Sequence, residues 1–174
     1  MGEFIAYFNY VEGGICLRIN RLSHRGWVRH FFSIVSKLGD GGFWALMALA
    51  LYWMKGPAAL PMILHMTATG AVGVLTYKFL KNRLVRERPY INHRGILCGA
   101  APLDRYSFPS GHTLHAVSFM IMLWAFEPAL LLLAAPFTLL VACSRIILGL
   151  HYPSDVIVGA AIGAAMAGAS LALY

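Results

Sequence analysis

The stretch from Ser110 to Ser144 decides the fold. It reads SGHTLHAVSFMIMLWAF over Ser110–Phe126, then Glu127, then PALLLLAAPFTLLVACS over Pro128–Ser144. Each half approaches the length of about 20 residues that a helix needs to cross hydrocarbon. Glu127-Pro128 reads as a tight turn between two antiparallel helices. Outward from this pair, Val156 to Tyr174 is a further apolar run and Pro57 to Tyr77 another, while Gly42 to Met54 is shorter and must borrow residues from its flanks. Of the 174 residues, 59% are hydrophobic and 12% charged, against about 45–50% and about 25% in soluble domains. The fold class expected is all-α: one domain, a polytopic transmembrane helical bundle of about five spans over residues 39–174. Such a chain collapses, so disorder is excluded. Three cysteines do not make a disulfide scaffold. Cys143 reads as a small hydrophobe, and whether Cys16 and Cys98 pair is left open by their spacing.

Residues 1–38 are amphipathic instead of spanning. Phe4, Ile5, Phe8, Val11, Ile15 and Ile19 recur near helical spacing, interrupted by Glu3, Glu12, Arg18 and Arg21. Trp27 to Leu38 mixes Phe31, Phe32, Ile34 and Val35 with Arg29, His30 and Lys37. Both segments suit helices lying in the headgroup layer, with Trp27, Phe31, Phe32 and Tyr106 as interfacial anchors. No basic region precedes the first apolar residues, which argues against a cleaved signal peptide. Gly39-Asp40-Gly41-Gly42 breaks the helix, with Asp40 expected to cap the first span. In the last run Gly159, Gly163 and Ala167 recur every four residues, a face on which a neighbouring helix can pack closely.

The formal net charge is +7. Lys78, Lys81, Arg83, Arg86, Arg88, Arg94 and Arg105 crowd the interval between two apolar runs, and no nucleic-acid motif accompanies them. An anion at a membrane surface is the implied partner, not nucleic acid. Two spans separate residues 78–109 from residues 145–155, so both intervals emerge on the same face. Lys81, Arg88, Ser110, Gly111, His112, Arg145, His151 and Asp155 all border that face, and ionisable residues at membrane depth usually mark function.

Ser110-Gly111-His112 reads as a helix start. Ser110 caps it, Gly111 admits a close approach, and the first N–H groups attract phosphate. Lys81, Arg88 and Arg145 are suited to neutralise phosphate oxygens. Asp155, four residues after His151, can orient one ring nitrogen and leave the other free as a nucleophile. His112 is then the general acid for the leaving group, and the expected intermediate is a phosphohistidine that water hydrolyses. With three fixed cations, neither metal nor other cofactor is called for.

Lys81-x6-Arg88-Pro89, Pro109-Ser110-Gly111-His112 and Ser144-Arg145-x5-His151-x3-Asp155 together resemble the three-part signature of the type 2 phosphatidic acid phosphatase (PAP2) superfamily, with order and internal spacing intact. The resemblance implies a helical bundle and metal-free hydrolysis of a phosphomonoester or pyrophosphate. It also implies the roles given above to each matched residue, and a lipid substrate of the undecaprenyl pyrophosphate, phosphatidylglycerophosphate or phosphatidic acid type. It further implies a bacterial inner membrane with the active face toward the periplasm, although the cations crowding that face would point inward by the positive-inside rule. Bacterial membrane members commonly carry one more span ahead of the interfacial helix, and none is read here. Two alternatives share these residues: a lipid phosphotransferase using the same histidine, and a non-enzymatic lipid-binding scaffold. Oligomeric state is not legible.

Other polar residues receive plainer readings. His65 is expected to be a packed polar residue of its span, and His115, one turn after the helix start, has no motif support. His24, His30 and His93 read as surface residues. Arg83, Arg86, Arg94 and Arg105 read as headgroup contacts, and Asp104-Arg105-Tyr106 as a structural loop at the entrance.

Overall fold

The structure, a computed structural model, describes the backbone of residues 2–174 and the side chains of residues 10–174. Glu3, Phe4, Ile5 and Phe8 therefore lie outside the described side chains. Helices α1 (Gly2–Asn20), α2 (Gly26–Lys37), α3 (Phe43–Lys55) and α4 (Ala59–Arg83) lead into the one-turn α5 (Pro89–Asn92). A loop over residues 93–110 follows, and then α6 (Gly111–Phe126), α7 (Leu131–Ile147) and α8 (Pro153–Leu171). Among the described residues, three helical stretches are long and apolar enough to cross a membrane: Gly26–Arg83, Pro128–Ile147 and Pro153–Leu171; α6 is apolar but shorter. The first of these folds back on itself at Gly41 (φ 150°) and Gly56 (φ 60°), conformations in which a side chain is strained. All five apolar runs of the sequence thus form helices, α3 being the shortest at 13 residues.

Helix α6 is the centre of the bundle, packed on α4, α7 and α8. Its contact with α8 runs backbone to backbone. A Cβ at Gly159 would lie 2.5 Å from the Ser110 carbonyl oxygen, and one at Gly163 would lie 2.3 Å from that of Leu114. Ala167 completes the stripe and is fully buried. Absence of bulk is what lets the helices approach, and dispersion across that contact holds them together in lipid. On the other side Phe43 stacks on Phe137 with centroids 3.7 Å apart, and Trp44 sets its edge against Phe119 and Phe137. Leu49, Trp53, Leu64, Leu75, Leu132, Leu139 and Ile157 face outward and are exposed. So large an apolar belt is a liability in water and is natural in lipid. Lys55 and Glu127, 3.0 Å apart, tie the α3–α4 turn to the α6–α7 turn at the end of the bundle away from the polar loops.

The structure corrects the reading of α1. Its inward stripe is polar and small: Glu12 is 5% exposed, and Cys16 and Asn20 are fully buried. Val11 and Ile15 face outward. Asn20 donates to the carbonyls of Leu97 and Ile147 and accepts from the Leu97 N–H, all within 2.9 Å. The helix is therefore fastened to the loops of the polar face, with its apolar residues left for lipid.

Candidate active site

Backbone geometry brings the pieces together. After α7 the chain turns through Gly149 (φ 72°), where a Cβ would lie 2.6 Å from Ile96 and 2.7 Å from the Leu97 carbonyl, so only glycine fits. That turn aims His151 inward, and Pro153 opens α8 directly behind it. The Ser110 N–H donates to the Asp155 carbonyl at 3.0 Å, joining the start of α6 to the start of α8. Lys81 comes from the last turn of α4 and Arg145 from that of α7. Lys81, Arg88, Gly111, His112, Arg145 and His151 consequently line one cavity of about 380 Å³. Asp155 lies behind His151, fully buried. Ser110 is buried too, and its hydroxyl accepts the Thr113 N–H at 3.4 Å, so it caps α6 and does not line the cavity.

His151 is 1% exposed. Its Nε2 lies 3.3 Å from Nη1 of Arg88. A guanidinium only donates, so Nε2 is the accepting nitrogen and Nδ1 carries the hydrogen. Nδ1 faces Asp155 Oδ2 at 3.5 Å, too long for a formed hydrogen bond. Burial first, then the nearby Arg145, Arg88 and Lys81, hold the ring well below its ordinary pKa. The imidazole is neutral, and its Nε2 lone pair faces Nη1 of Arg88. Asp155 is itself fixed: Oδ2 accepts the Tyr152 N–H at 2.9 Å and Oδ1 accepts from Arg86 at 2.7 Å.

Arg145 is 2% exposed; it donates through Nη1 to Ser36 of α2, and its buried Nε has no hydrogen-bond partner. A buried guanidinium with an unmet donor at a cavity wall is poised for an anion's oxygen.

Several residues enter the site that the sequence reading placed elsewhere. Asp40 does not cap α3; its Oδ1 lies 2.5 Å from Nε2 of His112 and holds that ring. Asp104 is no mere loop residue: Oδ1 accepts from Lys81 at 2.7 Å and from Arg88 at 2.9 Å. Arg86 is not a headgroup contact. Half-buried, it bonds Asp155, Ser154 and Glu12 at 2.6–2.7 Å and lies 3.9 Å over the Tyr152 ring. His93 is half-buried against Gly13 and Tyr152 instead of on the surface. His115 lines the cavity and bridges Gly111 O at 2.8 Å and Gly70 O at 3.0 Å. His65, as expected, is packed within its span, 2.5 Å from the Ser170 hydroxyl. All three cysteines are free, Cys16 buried with its Sγ 3.8 Å from the His151 carbonyl oxygen and Cys98 exposed. Among the described residues no group of three or more His, Cys, Asp or Glu is arranged to hold a metal ion.

An all-helical membrane bundle with cations, three imidazoles and a buried carboxylate converging at one end defines a class of membrane protein with a cationic, histidine-lined cavity. Residues 58–174 match the PAP2 superfamily, and the chain belongs to it. It is 27% identical over 157 residues to a lipid A 1-phosphatase of Rhizobium johnstonii, covering 79% of this chain and 64% of that protein. It is 34% identical over 127 residues to the decaprenylphosphoryl-5-phosphoribose phosphatase of Mycobacterium tuberculosis, covering 70% of this chain and 66% of that one. The chain thus spans somewhat less than two thirds of the length of these relatives. Its fold is similar to that of Aquifex aeolicus LpxE, with a TM-score of 0.77 at 24% identity over 91% of this chain and 93% of that one. The first transmembrane PAP2 type phosphatidylglycerolphosphate phosphatase from Bacillus subtilis gives 0.67 at 20% identity over 96% and 92%.

Proposed function

We propose that the protein is a membrane phosphatase that removes a terminal phosphate or pyrophosphate group from a lipid. The observation that carries this reading is the shape and lining of the cavity. At its head stand Lys81, Arg88, Arg145, His112 and His151; Tyr77, Val74, Gly70 and Thr67 then follow down one face of α4, with Trp44, His115 and Phe119 also lining the cavity. From Lys81 to Thr67 is about 21 Å of helix. A phosphate held at the head leaves its apolar tail along that wall. The two relatives named for lipid A and for decaprenylphosphoryl-5-phosphoribose support a lipid phosphate as the substrate class.

The chemistry follows from the geometry. Nε2 of His151 attacks phosphorus while the bond to the lipid oxygen breaks, and His112 gives that oxygen a proton. Asp155 keeps the Nδ1 hydrogen on its own side and steadies the imidazole as it becomes cationic. Lys81, Arg88, Arg145 and the backbone N–H groups at Gly111 stabilise the equatorial oxygens of the transition state. Ser110 acts by capping, which keeps those N–H groups at the cavity. Water then attacks phosphorus, His112 takes its proton, and the P–N bond breaks to release phosphate and restore His151. A bacterial inner membrane with this face toward the periplasm is part of the same proposal.

The test is a panel of lipids labelled in the terminal phosphate: phosphatidic acid, phosphatidylglycerophosphate and undecaprenyl pyrophosphate, with protein purified in detergent. Free labelled phosphate from at least one, abolished in His151→Ala, is the expected result. Label moved to an acceptor lipid would identify a phosphotransferase, and equal release by both proteins would leave only the scaffold reading.

A further inference from the structure

We propose that Asp104 is a built-in competitor for the phosphate seat, which keeps monoanionic phosphodiester headgroups off the cations and yields to a terminal phosphomonoester. The inference rests on the phosphatase reading and names what the site rejects. All three N–H donors of Lys81 are occupied: Asp104 Oδ1 at 2.7 Å, Asp104 Oδ2 at 2.8 Å and the Tyr106 carbonyl at 3.1 Å. Arg88 places Nη2 on Asp104 Oδ1 at 2.9 Å and Nε on the Asp104 carbonyl at 3.1 Å. One carboxylate therefore engages two of the three cations that would take phosphate oxygens, Lys81 through two N–H groups and Arg88 through Nη2. Arg88 Nη1 is held by the Leu150 carbonyl at 2.8 Å. Lys81 and Arg88 are 5% and 1% exposed and are set by helix ends, whereas the Asp104 side chain is 35% exposed and sits in the loop 93–110. Asp104 is the part that can leave without moving a helix.

Charge decides what displaces it. A bilayer presents phosphodiester headgroups at high local concentration, and an open site with three buried cations would hold one of them most of the time. A phosphodiester carries one negative charge, the same as Asp104, and must displace a carboxylate already seated on both cations at 2.7–2.9 Å. The exchange gains the diester nothing. A terminal phosphomonoester carries about −1.5 to −2 and offers three oxygens, so it gains both charge and hydrogen bonds when Asp104 swings out.

The experiment measures inhibition by phosphatidylglycerol of phosphatidic acid hydrolysis in mixed micelles, for wild type, Asp104→Asn and Asp104→Glu. The concentration of phosphatidylglycerol giving half inhibition should fall by about tenfold or more in Asp104→Asn, equivalent to a change of about 1.4 kcal/mol, and stay near wild type in Asp104→Glu. Unchanged half inhibition in Asp104→Asn overturns the proposal, as does wild type already half inhibited by phosphatidylglycerol equimolar with substrate. Asp104→Ser replaces the asparagine variant if that does not fold. Binding of glycerophosphoglycerol, followed by phosphorus NMR without turnover, gives a separate reading: tight to Asp104→Asn and weak to wild type. Wild type that binds in this pattern but releases no phosphate from any lipid would sink the phosphatase reading and leave the role of Asp104 standing.

Discussion

His151, the nucleophile we propose, is almost fully buried. Burial first, and then the cations around it, keep the ring unprotonated, and this has a consequence for stability. In the unfolded chain the ring titrates near its ordinary 6.5; in the fold its pKa is well below that. Below pH 6.5 the unfolded state therefore binds a proton that the folded state refuses, and stability is lost as the pH falls through that value. The loss is up to about 1.4 kcal/mol for each pH unit. Melting in detergent between pH 7.5 and 5.5 should accordingly be more pH-sensitive in wild type than in His151→Asn. Asp155→Asn keeps the shape but removes the charge facing Nδ1, and should lower kcat by about 10²-fold or more with KM little changed, since Asp155 does not touch the cavity. An equal change in KM would place Asp155 in substrate binding. At this scale the sequence exposed the cations and histidines, because their spacing across three segments can be read against turns and helix starts. Asp40, Asp104, Arg86 and Glu12 stayed hidden. Each meets its partner over a gap of 16 or more residues, and no local period records such a contact.

Among the elements, α8 carries the tightest constraint, since two of its glycines lie against carbonyl oxygens of α6. Gly163→Ala forces the helices apart at Leu114 and should destabilise the fold by about 1–3 kcal/mol, read as a lower melting temperature. Gly159→Ala presses instead on Ser110, the cap of the helix that bears His112, and should lower kcat more than Gly163→Ala at comparable loss of stability. Helix α1 makes a second prediction. Glu12, Arg86 and Asp155 form a largely buried ion group, with side chains 6%, 14% and 0% exposed. Arg86→Gln leaves two buried carboxylates without their shared cation and should cost about 3–5 kcal/mol; a loss under about 1 kcal/mol would mean that water already screens the group. The four-residue stripe of α8 was legible as a close-packing face. The inward face of α1 was not, because an amphipathic pattern next to a membrane gives the same period whether the apolar side meets lipid or protein.

For the molecule as a whole, the bundle gathers Lys81, Arg88, His112, Arg145 and His151 around one cavity at one end. The α3–α4 and α6–α7 turns stay at the other, joined by Lys55 and Glu127. That arrangement followed from counting spans, since two crossings return the chain to the face it left. The polar loop could not be traced the same way, because its course is set by hydrogen bonds to α1, α2 and the turn after α7. The central claim is that His151 accepts a phosphoryl group, and it is tested most directly by trapping the adduct. In His112→Asn, an aryl phosphate with a good leaving group needs no acid for the first step but still lacks a base to activate water in the second. Rapid quenching at alkaline pH, followed by peptide mass spectrometry, should then find one phosphoryl group on His151 and none in the doubly substituted His112→Asn, His151→Ala protein. Turnover with no adduct on that residue, or an adduct on any other side chain, would contradict it.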